Sequence, residues 1–316
     1  MKIVNSLMSL AVCLGFTASA FSASIVWVSE MYPTGTATSD KTSATEGVFG
    51  AGTGPYPDQG MVNLLTAAGH TVTRFNPADT VALTAGNISQ LNTHDLIIIG
   101  RSIPSGNFGG ALATPWNTQV TKPVMSINPY ALRPAQLGWF TAGNIVDSIS
   151  NPLTFANPSS PASAYIIGST AMNGSTMVSS FTEAVVFPDS AVDIRGTSVS
   201  TDAAVAGANV IATAPAGTGT GNFIVEFQAG TTVVPGVGNQ QLAGYRLAFA
   251  ATNRESASAP NNTVGSAGFE NLTPAGEAMF LRAVNLAING GVIPEPGTVA
   301  LLFLASSAAL RRRRTA

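Results

Sequence analysis

Short apolar, β-branched runs alternate with polar stretches along this chain, and their spacing predicts the architecture of its first half. Residues 24–29 (SIVWVS) form an unbroken run of strand length, the pattern of a strand buried on both faces. A polar, Gly- and Thr-rich stretch, 32–57, follows. Asp58 is then placed to cap a helix that carries Met61, Leu64 and Leu65 on one face and ends at Gly69. Residues 70–75 (HTVTRF) alternate as a second strand. After a connection rich in capping residues, 95–99 (DLIII) reads as a third and deeply buried strand, closed by Gly100 and Arg101. Residues 116–120 predict a short helix and 123–128 (PVMSIN) a fourth strand. Strand, helix, strand, helix, strand at these lengths implies right-handed crossovers and a parallel sheet, with the order 2-1-3-4 expected.

The second half is less regular. Residues 165–168, 184–187, 209–213, 223–227 and 245–250 are strand-like runs separated by Gly, Ser, Asn and Thr turns. Thr273 is placed to cap a final helix with Met279, Phe280, Ala283, Val284 and Leu286 on its apolar side, stopped by Asn289, Gly290 and Gly291. There is no internal repeat, and no Thr-x-Thr ladder or short-period Gly/Asn solenoid.

Both ends of the chain break this pattern. Lys2 precedes an apolar stretch, 7–18, and Ala18, Ser19 and Ala20 supply the small residues a signal peptidase reads, so residues 1–20 read as a signal peptide cut after Ala20. At the other end, residues 291–316 carry the triplet Pro294, Glu295 and Pro296, an apolar run over 297–310, and the basic cluster Arg311, Arg312, Arg313 and Arg314. That run is roughly 21 Å long as a helix, short of a comfortable permanent span, and the arginines would hold its end on the cytoplasmic side. The order of parts resembles the PEP-CTERM sorting signal of Gram-negative bacteria, a tail also labelled by its occurrence on ice-binding proteins. The resemblance implies a short transmembrane helix held transiently in the inner membrane, cleavage near the triplet by an exosortase, and release to the cell surface or the exopolysaccharide matrix.

Removing both ends leaves roughly 270 residues, enough for one large α/β domain or two small ones, with a sizeable core. Cys13, the chain's single cysteine, falls in the signal peptide, which takes disulfides, a thiol nucleophile and thiolate metal sites out of the exported body together. Charged residues are only 9% of the chain, and four of its 14 Lys and Arg sit in the tail, so the body is more acidic than the formal net charge of -2. No basic patch is present to hold nucleic acid.

The series DLIIIGRS, a tryptophan helix, PVMSINPYALR and LGWF, then NFIVEFQAGT, YRLAFAAT and NLTPAGEAMFLRAVNLAI, resembles a class I glutamine amidotransferase-like domain near its trehalose-utilisation branch. The resemblance spans residues 21–290. It implies a flavodoxin-like parallel sheet with additional strands in the second half. Catalytic members place a cysteine on a sharp strand-to-helix turn beside a histidine; the exported body departs from them in having no cysteine.

In a doubly wound sheet, ligands sit beyond the carboxyl ends of the strands at the switch point. That crevice would be lined by Glu30 and Met31 after the first strand, Arg101 and Ser102 after the third, and Asn128, Tyr130 and Arg133 after the fourth. Ser102 is the weak catalytic candidate. Its surroundings, Gly100-Arg101-Ser102-Ile103-Pro104, lack the second glycine of a nucleophile elbow, and Pro104 opposes the helix that should follow. The body's two histidines, His70 and His94, belong at the opposite ends of the strands, which leaves Ser102 without a base. Glu30 and Arg101 either pair with each other or contact a ligand. Asp40, Glu46 and Asp58 read as solvated loop acids rather than a calcium site, and Trp116, Trp139 and Phe140 as core packing rather than sugar-stacking platforms.

The expectation is therefore an exported surface or matrix protein, processed by signal peptidase and exosortase, whose body is non-catalytic and has exopolysaccharide as a candidate ligand. No metal or cofactor is expected. The alternative is a secreted hydrolase acting on carbohydrate, ester or amide substrates at the strand-end crevice.

Overall fold

The computed structural model describes residues 22–29, 48–50, 56–78, 81–149, 151–183, 185–186, 194–253 and 268–293. The proposed signal peptide, the sorting tail and Glu30, Met31, Asp40 and Glu46 lie outside them. Among the described residues, no helix is long and apolar enough to cross a membrane.

The first half runs β1 (Ser24–Val28), β2 (Val48–Phe49), α1 (Gln59–Ala67), β3 (Thr71–Asn76), α2 (Ala85–Leu91), β4 (Leu96–Ile99), α3 (Ala113–Thr118), β5 (Val124–Ser126), β6 (Ile145–Ser148) and β7 (Thr154–Phe155). The second runs α4 (Pro161–Ile167), β8 (Met172–Asn173), β9 (Thr176–Met177), β10 (Val185–Val186), β11 (Ile194–Arg195), β12 (Thr197–Ser200), β13 (Asn209–Ala216), β14 (Gly219–Phe227), β15 (Thr232–Val233), β16 (Gln240–Gln241), β17 (Arg246–Phe249) and α5 (Pro274–Ile288). The result is a mixed α/β fold on one large sheet.

That sheet has the order β2-β3-β1-β4-β5-β17-β14-β13-β7-β9-β8, with β12 pairing both β14 and β6. The five strands from β3 to β17 are mutually parallel, in the anticipated order for the first four. Beyond β17 every pairing is antiparallel, as is β2 on β3. Alternation along β1 assigns its side chains to two cores. Ile25 and Trp27 join Leu96, Ile98 and Phe249 under α1 and α5, while Val26 and Val28 join Ile97, Ile99 and Phe227 under Trp116, Trp139 and Phe140. All three of those aromatic rings are buried, which agrees with core packing.

Four details differ from the sequence reading. Of residues 165–168, read as strand, the first three belong to helix α4 and Gly168 ends it: Ser160 accepts from the Ser163 N–H and Pro161 occupies the first turn, a start signal that outweighs the β-branched run. The connection before the third strand holds α2, fixed by a reciprocal capping box between Thr84 and Asn87. Within the stretch read as a loop, Val48 and Phe49 pair with β3. Asp58 stands at the head of α1 but makes no capping bond; its carboxylate turns inward. Thr273 caps α5 as expected, accepting from Gly276 N at 3.1 Å.

Arg246 joins the two halves of the chain. It is fully buried on β17, and its guanidinium donates to the carbonyls of Trp116 (3.0 Å), Val120 (2.6 Å) and Lys122 (2.9 Å), so a cation closes the C-terminal end of α3. Burial lowers its pKa to about 9.

Candidate functional site

The carboxyl ends of β1, β4 and β5 are brought level by the sheet register, which sets Val28 beside Ile99 and Ile99 beside Ser126. Residues just beyond these positions therefore face one another across adjacent loops. Ser102 lies there, and its hydroxyl donates to Asp58 Oδ2 at 2.7 Å. Trp27 Nε1 donates to the same oxygen at 2.6 Å, and Arg74 Nη1 sits 2.8 Å from Oδ1. Gly100 lets the indole reach: a β-carbon there would stand 3.0 Å from Trp27 Nε1 and 3.0 Å from the Val28 carbonyl.

Arg74 is itself surrounded. Its guanidinium donates to Ser29 Oγ at 2.9 Å and Gln59 Oε1 at 3.1 Å, and lies 4.3 Å from the centre of the Tyr56 ring. Burial raises the Tyr56 phenol above its ordinary pKa, against the pull of Arg74 and with a smaller push from Asp58. Asp58 is 0% exposed, Ser102 2% and Arg74 5%. The expectation of a solvated Asp58 is thus corrected: it is the centre of a closed polar network spanning α1, β3, β1 and the β4 loop.

A second group lies between the β4 and β5 loops. Asn128 Nδ2 donates to the Ile103 carbonyl at 2.9 Å, fastening the loops together, and Asn128 Oδ1 accepts from Tyr130 N at 3.2 Å. The Tyr130 ring carries a guanidinium on each of two approaches, Arg101 at 4.6 Å and Arg133 at 5.3 Å from its centre. Arg133 is further held by the Tyr130 carbonyl (3.0 Å) and Ser105 Oγ (2.9 Å). Of the seven crevice residues, Arg101, Ser102, Asn128, Tyr130 and Arg133 occupy these two adjoining loops, and Glu30 and Met31 are outside the described residues.

The histidines are at the other end of the sheet. His70 precedes β3, where its Nδ1 accepts from Ala23 N at 3.3 Å; His94 precedes β4. Burial lowers the pKa of both, countered at His94 by Asp95. The sequence reading did not identify Asp58 as the acceptor for Ser102. No local motif marks that contact, because the two residues are 44 positions apart. Among the described residues no group of three or more His, Cys, Asp or Glu is placed to hold a metal ion.

No protein-family model matches the chain, and no curated protein matches it. Among solved structures it is similar to a cytoplasmic protein of Salmonella typhimurium, at 9% identity and a TM-score of 0.42, over 84% of this chain and 98% of that one.

Proposed function

We propose that this is an exported surface or matrix protein, sorted by its Pro294–Pro296 and Arg311–Arg314 tail in the manner of an exosortase substrate. We assign its body a ligand-binding, non-catalytic role on a flavodoxin-like, amidotransferase-like sheet. The observation that carries the second statement is the commitment of Ser102: its proton is donated into a carboxylate that already receives an indole N–H and a guanidinium, inside a network shut off from solvent. A nucleophilic serine needs a base free to take its proton and an open approach for substrate. Both are better supplied by a site built otherwise.

Two measurements test the proposal. Intact-mass analysis of material from the cell surface should find a chain ending near Pro294–Pro296; a stable, abundant form retaining Arg311–Arg314 in a host with an exosortase would overturn the sorting assignment. On the body, Ser102→Ala should lower stability by about 1–3 kcal/mol through loss of a bond to a charged acceptor, while polysaccharide binding persists. The hydrolase alternative draws its support from the same Ser102–Asp58 contact. Turnover of a glycoside, ester or amide that disappears in Ser102→Ala would establish it in place of the binding role.

A further inference from the structure

Arg133 is an arginine held ready and left without an acid. Its Nε and Nη2 are fixed by the Tyr130 carbonyl and Ser105 Oγ, its Cζ lies 5.3 Å from the centre of the Tyr130 ring, and among the described residues no carboxylate pairs with it. Asp202 borders this face through Asn144, but both its oxygens are engaged, by Asn144 N at 2.6 Å and Asn144 Nδ2 at 2.8 Å.

Arg133 lines an open depression of about 310 Å³ together with Pro134, Ala135, Gln136 and Gly143. The loop beneath it is rigid: Gln136 N and Gly138 N both donate to the Arg133 carbonyl, and Gly110 N donates to the Ala135 carbonyl at 3.1 Å. Gln136 buries its carbonyl oxygen, which leaves its amide NH2 as the side chain's solvent-facing polar end. The depression is therefore walled by donors and apolar carbon, with room for a single sugar-sized ring.

We propose that this depression binds an oxyanion-bearing ligand, specifically the carboxylate of a sugar acid. Arg133 Nη1, which donates to none of the described residues, can make a charge-assisted bond to a carboxylate, and the side chain's entropy has already been lost to Ser105 and Tyr130. The inference rests on the binding role proposed above and gives it a ligand class. The carboxylate can come from a free uronic acid or from a residue within an acidic polysaccharide.

The test is calorimetric titration of the purified full-length protein with free glucuronate, polygalacturonate and neutral dextran. Arg133→Gln should weaken acid binding about tenfold or more, the loss of one charge-assisted contact. Gly143→Leu, which fills the depression against the Arg133 side chain (a β-carbon at 143 would stand 3.6 Å from Arg133 Cδ), should weaken it as well, and Lys122→Gln, a charge removed elsewhere, should not. Circular dichroism confirms that each variant folds. Affinity for glucuronate equal to that for polygalacturonate per residue identifies the free acid; preference for the polymer identifies the polysaccharide. Acid binding that survives Arg133→Gln and Gly143→Leu overturns the site. Binding of dextran alone overturns it too, while leaving the broader binding role intact; failure of all three probes to bind removes both.

Discussion

Asp58 and Arg74 meet at 2.8 Å, one at the head of α1 and the other on β3, with neither exposed by more than 5%. A buried ion pair offsets its desolvation only when the remaining hydrogen bonds are made. Here Asp58 Oδ2 accepts from Trp27 and Ser102 and the guanidinium donates to Ser29 and Gln59, while Oδ1 has the ion-pair contact with Arg74 alone. Arg74→Ala leaves the carboxylate stranded and should cost about 3–5 kcal/mol in urea unfolding. The paired replacement Asp58→Leu with Arg74→Met should cost less than the sum of the two single changes. A strictly additive result would mean the two groups do not interact.

Ile98 is fully buried at the centre of β4, between β1 and β5. Ile98→Asp places an unpaired carboxylate in both strands' shared core and should remove several kcal/mol, enough to unfold a domain of ordinary stability. Loss of cooperative unfolding by circular dichroism is the expected readout.

The acid side of the stability profile should carry the histidines. Burial lowers the pKa of His70 and His94 in the folded state, so the unfolded chain binds protons more readily and stability falls as pH drops through about 6.5. His70 has a specific reason: its Nδ1 accepts from the Ala23 N–H and must remain unprotonated to do so. The melting temperature should decline between pH 7.5 and 5.5, and a His70→Gln, His94→Gln double variant should flatten that decline.

Arg246→Met removes the donors that close α3 and leaves several buried carbonyls unsatisfied. The expected loss is about 3 kcal/mol or more, each of the three stranded acceptors costing about 1–3 kcal/mol. Arg246→Lys should fall between the two, since an ammonium cannot span Trp116, Val120 and Lys122 from one position.

Of the four parallel strands of the first half, β1 and β4 were legible as apolar runs, since doubly covered strands need no alternation to be recognised, and β3 by its alternation. Helix α4 was obscured by Tyr165, Ile166 and Ile167, whose strand propensity is local, whereas its start signal lies upstream at Ser160 and Pro161. That the loops after β4 and β5 adjoin follows from the strand order, which the sequence pattern implied. The Asp58 network was invisible for another reason: Trp27, Arg74 and Ser102 come from three separate strands or their loops, and pairing between distant polar residues leaves no periodic trace. Arg133 was visible as a crevice residue, but that no acid among the described residues pairs with it emerges only in three dimensions.

β17 lies between β5 and β14, although about 120 residues of chain separate it from β5. Until it arrives, β5 presents a bare parallel edge and the carbonyls at the end of α3 have no cation. A nascent or partly exported chain stopped before Tyr245 therefore has an adhesive sheet edge of the kind that seeds aggregation. Closing the sheet must wait for nearly the whole body, so contacts of high sequence separation set its folding rate. A chain of this design needs protection until β17 is in place, and truncations within the second half should be recovered as aggregates rather than as smaller soluble domains.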